Sequence, residues 1–563
     1  VIVPKPGLVS VADRRPCYVS LGAHVLGAAI PHPDQYDPWT ALEGAVKRYA
    51  GKTPGVDPVM LSEAAALAEI MVEKFTPLDP GLDFSVESWL KETSYPLWRQ
   101  EELLEKWRAC QGLLREEHLT CAAHGKDEGY PLPKHLRIIN ARPDEFKCLM
   151  GPYFKQLEKV VFCDERAIKH VPPSERPKRL MELAPYPIKF TGDYSSFEAS
   201  VKQDVMMELE FPLYRWMFKH LPGWLIELAE FVFGGWNKTV HGTRTSRWFV
   251  LWCIAVRMSG DMQTSLGNWW LNLVVTSYLT ARAAIGARGD RTLSEYAKAL
   301  HKFTVEGMKC VFEGDDGLVG TSGPAPTPAD ALCLGFVLKM VVSQTISQTD
   351  FCGLMFDEND LVNIVDPRKV LGNFGWTSSR WLKCTPKTAA ILLRAKAFSF
   401  AYLCPGCPIV SALAQYGLRV TRAVPMCKMW WRWKQRDMNE FEREWLKSVL
   451  EAGEVAPVRP PMRTRLLMYD RFGITVVQQI AIERYLDSLT SIEPLALPLD
   501  LFPSEWVEYW NAYVCAPANH RRPYICPPQL RDVSSRWVRV VDAVPNGSMA
   551  IVLKVAVGGS GSA

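Results

Sequence analysis

Apolar residues recur at three- and four-residue spacing over 39–49 and 61–75, with proline-rich connectors between them, and this periodicity predicts amphipathic helices. Further along the pattern shortens. One apolar run ends at Asp193, and two more flank Gly314-Asp315-Asp316-Gly317, which predicts strands with acidic residues at their ends and a hairpin tip at the glycine-acid tetrad. Residues 204–258 are rich in Trp, Phe and Leu, a helix is predicted over 328–338, strands over 340–346 and 351–356, and helical patterning resumes from about 385. No internal repeat is present.

The stretch 262–281 carries no acidic or basic residue and is long enough to span a bilayer. Its Gln, Thr, Ser and Asn residues recur too often for a lipid-facing surface, so it reads as a buried helix. Ser259-Gly260 leads into it, and Thr264 and Asn268, four apart, share one face.

Taken alone, Gly314-Asp315-Asp316-Gly317 fits an ordinary surface hairpin as well as an acid-bearing one. The surrounding order is more informative: Asp193-x4-Glu198, then Ser259-Gly260-x3-Thr264-x3-Asn268, then Gly314-Asp315-Asp316. This order resembles the palm motifs of viral RNA-dependent RNA polymerases. Phe351-Cys352-Gly353 and Asp366-Pro367-Arg368-Lys369-Val370-Leu371 narrow the resemblance to the tombusvirus-like and nodavirus-like groups of positive-strand RNA viruses. It covers about 126–371; elsewhere only composition and patterning speak.

The resemblance implies an α+β right-hand fold of fingers, palm and thumb, with an antiparallel palm sheet packed on helices and closed by fingertips reaching the thumb. It divides the chain into an N-terminal extension and fingers (1–190), palm (191–203), a return to the fingers (204–258), palm again (259–384) and thumb (385–557). Residues 558–563 read as a flexible tail or a cloning scar. The activity implied is RNA-templated RNA synthesis with two Mg2+ ions, Mn2+ being a substitute, because in-line displacement at phosphorus needs cations at both the attacking and leaving oxygens. Asp193 and Asp315 are the expected metal ligands, Asp316 an accessory one and Lys339 the general acid for pyrophosphate.

On the nucleotide side, the basic run 134–142 is either a solvated edge strand or, as the resemblance implies, the segment that meets the triphosphate through Arg137, with Lys126 and Lys134 beside it. Asn268, Thr264 and Glu198, the last expected on the strand that carries Asp193, would sense the ribose 2′-hydroxyl. Glu198 stands where the family pattern has Asp, so its acceptor lies further out. Ser259 and Gly260 would flank the template base.

Composition adds bounds. The chain has 563 residues, 48% hydrophobic and 22% charged, which is globular and sufficient for about three subdomains. A net charge of +4 permits nucleic acid as a partner without demanding it. Fifteen cysteines, odd in number and scattered, argue against a disulfide framework. Cys404 and Cys407 have zinc-ligand spacing but no second Cys/His pair nearby, which favours a Pro-Gly turn. Arg422, Lys428 and Arg432 interleave with Trp430, Trp431 and Trp433, as either a strand-binding surface or a core helix face.

The expected partners are single-stranded RNA template, duplex RNA product, ribonucleoside triphosphates and other viral replication proteins. The expected location is host cytoplasm, in membrane-associated replication complexes. A first residue other than methionine fits a piece cut from a longer product, with any membrane anchor outside it or on a partner. A reverse transcriptase shares the three acids, but an aromatic side chain near the first acid is its usual block on the 2′-hydroxyl, and Glu occupies 198. A noncatalytic RNA-binding protein retaining the fold is the remaining alternative.

Overall fold

The computed structural model describes residues 2–4, 18–49, 53–132, 134–243, 247–424, 440–515 and 553–554. Lys428, Trp430, Trp431, Arg432 and Trp433 lie outside the described residues, as do most of 516–557 and the 558–563 tail. The architecture is mixed α+β with several small sheets.

At the centre is a four-stranded antiparallel sheet in the order Leu338–Ser343, Ile188–Tyr194, Asp316–Thr321, Met308–Glu313. Strand alternation sends Phe190 and Tyr194 to one face, where they join Phe312, Val319 and Leu338 against helix Thr264–Ile285. Val311 and Leu318 point the other way, into a smaller cluster with Ile168, Leu183, Ile346 and Phe351. Because both faces of Ile188–Tyr194, Met308–Glu313 and Asp316–Thr321 are covered, these strands read in the sequence as apolar runs, while the edge strand Leu338–Ser343 leaves Lys339, Val341 and Val342 exposed. Their exposed ends are where the acids lie.

A second, five-stranded sheet runs Ile2–Pro4, Arg247–Ile254, Trp236–Gly242, Cys121–Gly125, Ile138–Ala141. Its neighbours are antiparallel except Cys121–Gly125 beside Trp236–Gly242. Helix Pro38–Tyr49 covers it through Ala41, Leu42, Ala45 and Tyr49. Gly44 allows the close approach: a Cβ there would lie 2.4 Å from the Leu136 carbonyl oxygen.

Two buried ion pairs brace the segments around helix Thr264–Ile285. Arg142, at the end of the Ile138–Ala141 strand, grips Asp261 with Nε and Nη2 at 2.7 and 2.9 Å. Arg257 grips Glu210 with Nη1, 2.9 Å from Oε1, and Nη2, on Oε2, and Gly267 packs so tightly on that pair that a Cβ would fall 2.4 Å from a Glu210 oxygen. Two-donor geometry is what makes a buried guanidinium tolerable.

Helices Pro386–Leu403, Val410–Val420, Met462–Phe472 and Val476–Ser488 form a third body around Leu393, Tyr416, Met468 and Leu486. Residues 18–30 cross onto it. Strand Tyr18–Ser20 pairs with Trp376–Ser378, and the Ala29 amide donates to the Trp506 carbonyl at 3.1 Å. Cys404 and Cys407 are buried in this body, joined by a turn in which the Cys407 amide donates to the Cys404 carbonyl at 3.2 Å, with Gly406 at φ +79°. Burial pushes the Cys407 thiol up to about 12.

Helix Thr264–Ile285 is buried from Leu266 to Ala281, and no helix among the described residues is long and apolar enough to cross a membrane. Two local expectations need correction. The helix from Pro328 stops at Cys333, because Gly335 at φ +82° turns the chain, and strand Leu338–Ser343 begins in what was expected to be helix. Residues 351–356 form only isolated bridges, Phe351 to Leu354 and Met355 to Ile364, since Cys352 and Gly353 both adopt positive φ.

Replacing Glu210 by Ala would strand Arg257 as an unpaired buried charge, so global stability should fall by about 3–5 kcal/mol. Chemical denaturation followed by tryptophan fluorescence measures it.

Candidate active site

The Met308–Glu313 and Asp316–Thr321 strands pair with Glu313 opposite Asp316, leaving Gly314 and Asp315 as a two-residue loop. Gly314 adopts φ +63°, which suits the first position of a hairpin turn and no β-substituted residue. The tip is tied down from inside. Asn272 Nδ2 donates to the Gly314 carbonyl at 3.3 Å, Thr276 Oγ1 donates to Asn272 Oδ1 at 3.0 Å, and the Tyr194 hydroxyl meets Thr276 Oγ1 at 3.3 Å. One buried chain of hydrogen bonds thus connects the hairpin to the strand that carries Asp193. Sequence reasoning stopped at Thr264 and Asn268; the same four-residue spacing continues through Asn272 and Thr276 and could have revealed them.

Gly192 lies opposite Gly317, which brings Asp193 level with Asp316 on the neighbouring strand, roughly 5 Å away along the backbone. On the other side Lys339 lies directly opposite Asp193, with an exposed side chain. The carboxylates act on one another. Burial raises Asp315 above the usual carboxylate range, the charges of Glu198 and Asp193 raise it further, and Arg137 offsets part of this. Asp316 is pushed up to about 6, first by burial and then by Asp315, Asp193 and Asp350. Asp350 had no place in the sequence reading.

No three His, Cys, Asp or Glu side chains among the described residues converge into a cage that would hold a metal unaided. Magnesium does not ask for one: it takes one or two carboxylates and completes its shell with water and substrate phosphates. Asp193, Asp315 and Asp316, mutually repelling, have the donor chemistry such an ion needs.

Arg137 and Lys126 share one acid. Arg137 Nη1 lies 3.4 Å from Glu128 Oε1 and Lys126 Nζ 2.7 Å from Glu128 Oε2, while the Lys126 amide donates to the Arg137 carbonyl at 2.8 Å. Both cations are about half-exposed. Lys134 instead stands over the Tyr130 ring at 5.8 Å.

Asn268 is buried, and its Oδ1 has no hydrogen-bond partner among the described residues, an unusual and costly state for an amide oxygen. Thr264 Oγ1 donates to the Met258 carbonyl at 3.1 Å. The Ser259 carbonyl accepts from the Asn140 amide at 2.6 Å, and Gly260, at φ +106°, fits against the Asn140 carbonyl where a Cβ would lie 2.4 Å away. Glu198 is not on the strand with Asp193. The strand ends at Tyr194, Ser196 turns at φ +57°, and Glu198 sits in the short helix Phe197–Ser200, paired with Arg48 of the N-terminal helix.

The arrangement combines three neighbouring carboxylates without an ion pair among the described residues, two cations sharing Glu128, and a buried amide oxygen without a partner among those residues. No protein-family model matches the chain, and no match to a curated protein was found.

The raised pKa of Asp316 has a stability consequence. The folded chain binds the Asp316 proton more tightly than the unfolded chain, so this residue's contribution declines as pH rises from about 4 to about 6 and stays unfavourable above. In metal-free buffer Asp316→Asn should therefore raise the melting temperature at pH 7 and leave it nearly unchanged at pH 4, by differential scanning fluorimetry.

Proposed function

We propose that this chain is an RNA-templated RNA polymerase that transfers nucleotides from ribonucleoside triphosphates to an RNA 3′-hydroxyl and so replicates a viral RNA genome. The observation that carries the reading is the sheet register that sets Asp193 beside a hairpin bearing Asp315 and Asp316, none of the three forming an ion pair among the described residues. Under this reading the central sheet is the palm, the five-stranded sheet with helix Pro38–Tyr49 belongs to the fingers, and the C-terminal helices are the thumb. The crossing of residues 18–30 onto those helices supports a closed ring.

Asp193 and Asp315 would hold Mg2+, or Mn2+ in its place, with Asp316 as the accessory ligand. Bound divalent cations supply the positive charge that stabilises the attacking and leaving oxygens. The remaining roles belong to the chain's own side chains. Arg137, with Lys126 beside it, exchanges Glu128 for the triphosphate, its planar fork donating two bonds to one phosphate. Lys339, opposite Asp193 on the neighbouring strand, is placed to pass its Nζ proton to the departing pyrophosphate. Asn268 would meet a ribose hydroxyl once its buried, unpartnered Oδ1 is uncovered, and Ser259 and Gly260 form the backbone platform beside the template base.

The partners on this reading are a single-stranded RNA template, the duplex product and other replication proteins of the virus. The orphaned Asn268 oxygen favours RNA synthesis over DNA synthesis, because a deoxyribose would leave it without a donor.

Incubation with single-stranded RNA, four ribonucleotides and Mg2+ should yield product of template length, in amounts that fall with added salt. Asp315→Asn should abolish that product, by several orders of magnitude in rate, while the circular dichroism spectrum is unchanged; undiminished synthesis would defeat the reading. Arg137→Ala should raise the nucleotide KM by about tenfold or more, since both charge-assisted bonds of the fork are lost, with little change in RNA affinity.

A further inference from the structure

Strand alternation gives the five-stranded sheet two unlike faces. Cys121, Ala123, Ile138, Leu251 and Cys253 are buried on the side covered by helix Pro38–Tyr49, while Ala122 and His124, one position on, are exposed on the other. Register carries this second face across the sheet. Ala122 lies beside Val240, and further along the same strand Lys238 lies opposite Trp252 and Trp236 opposite Ile254.

An antiparallel sheet with one face in water ordinarily sets polar residues on it. This corner does the reverse. Trp236 is 57% exposed and Ile254 44%, with Trp252 partly exposed beside them. Trp236 and Trp252 are diagonal neighbours, roughly 7–8 Å apart along the backbone, within reach of one short strand of bases. Lys238 Nζ stands 4.9 Å from the centre of the Trp252 ring and 3.2 Å from Glu116 Oε1. The Glu116 side chain is 60% exposed, so that ion pair is weak and a phosphate can take its place.

Aromatic rings and an exchangeable cation on an open sheet face are the chemistry that holds an unpaired strand: bases stack on the rings and the backbone meets the cation. A duplex keeps its bases stacked inside and cannot use such a surface. The same face continues to Arg137, which alternates in step with Ile139 and His124 and whose carbonyl accepts from the Lys126 amide at 2.8 Å, extending the strand pairing by one residue. From Arg137 the Trp236 corner is roughly 25–30 Å away across the sheet, too far to be part of a triphosphate site.

We propose that this corner is an accessory site for single-stranded RNA, in which Trp236 and Trp252 stack bases and Lys238 takes a backbone phosphate. The choice of RNA as the strand rests on the polymerase reading; the stacking chemistry stands on the sheet itself.

The experiment uses the full chain without nucleotides and a single-stranded RNA of about eight nucleotides carrying photoactivatable uridine, a length within the range such surfaces hold. Irradiation and mass spectrometry should place a crosslink between residues 236 and 254. By fluorescence polarisation, Trp236→Ala should weaken binding of the same strand about tenfold and Trp236→Phe much less, because a phenyl ring still stacks. Binding of a blunt duplex of equal length should be unaltered by either change. Lys238→Met should lower the slope of log affinity against log salt by about 0.7, the share of one phosphate on a single strand.

No crosslink in that segment, an unchanged single-strand affinity in Trp236→Ala, or an equal loss on the duplex overturns the proposal. The crosslink is read on the unaltered protein, so it decides even where a variant fails to fold. Self-association that Trp236→Ala abolishes without changing RNA affinity would make the corner a protein-docking surface, and overturns it too. Absence of RNA extension by the unaltered protein is a different result: it defeats the polymerase reading and leaves the crosslink to decide this site.

Discussion

Like charges crowded at one end of a sheet set the terms for this site. Asp193 and Asp315 both act on Asp316, and partial withdrawal from water adds to the cost, so that the Asp316 pKa is pushed up to about 6. A turn left to itself would splay to relieve that strain. The hydrogen-bonded chain from the Gly314 carbonyl through Asn272 and Thr276 to Tyr194 prevents it. The hairpin and its neighbouring strand are thus fixed from the buried side, and the acids project from the other end of that scaffold. Preorganised charge of this kind is what a cation-dependent reaction exploits.

The helix that supplies Asn272 and Thr276 is itself fixed by the two buried guanidinium pairs. Arg142 with Asp261 fastens its entry loop to the five-stranded sheet, and Arg257 with Glu210 meets it at Gly267. One rigid element therefore carries Thr264, Asn268, Asn272 and Thr276 in a single stripe. Its members differ in what they hold, since Asn272 and Thr276 brace the acidic hairpin while Asn268 keeps an oxygen free. The N-terminal helix completes the frame by touching both Glu198 and, through Asn140, the Ser259 loop. Segments distant in sequence thereby constrain one small volume.

Much of this was legible in one dimension. Apolar runs ending in acids predicted strands, and the Gly-Asp-Asp-Gly tetrad predicted the hairpin, because glycine most readily accepts the positive φ its turn needs. The uncharged stretch 262–281 was recognisable as a buried helix from its recurring amides and hydroxyls. Errors came where a single residue reversed the chain: Gly335 shortened a predicted helix, Cys352 and Gly353 broke a predicted strand, and Ser196 carried Glu198 off its strand. Non-glycine residues at positive φ leave little trace in pattern, since it is the surrounding packing that forces them there.

The order and spacing of the acids, the helical stripe of amides and hydroxyls, and the glycines at turns were properties of the chain alone, because each follows from local stereochemistry repeated along the sequence. Which strand lies beside which, that Arg48 would find Glu198 across 150 positions, and that Asn268 would keep an oxygen unpartnered were decided only on folding. These are long-range pairings, selected by the burial of whole faces and by the need of each buried charge for a partner, and no window of sequence contains both halves of such a choice.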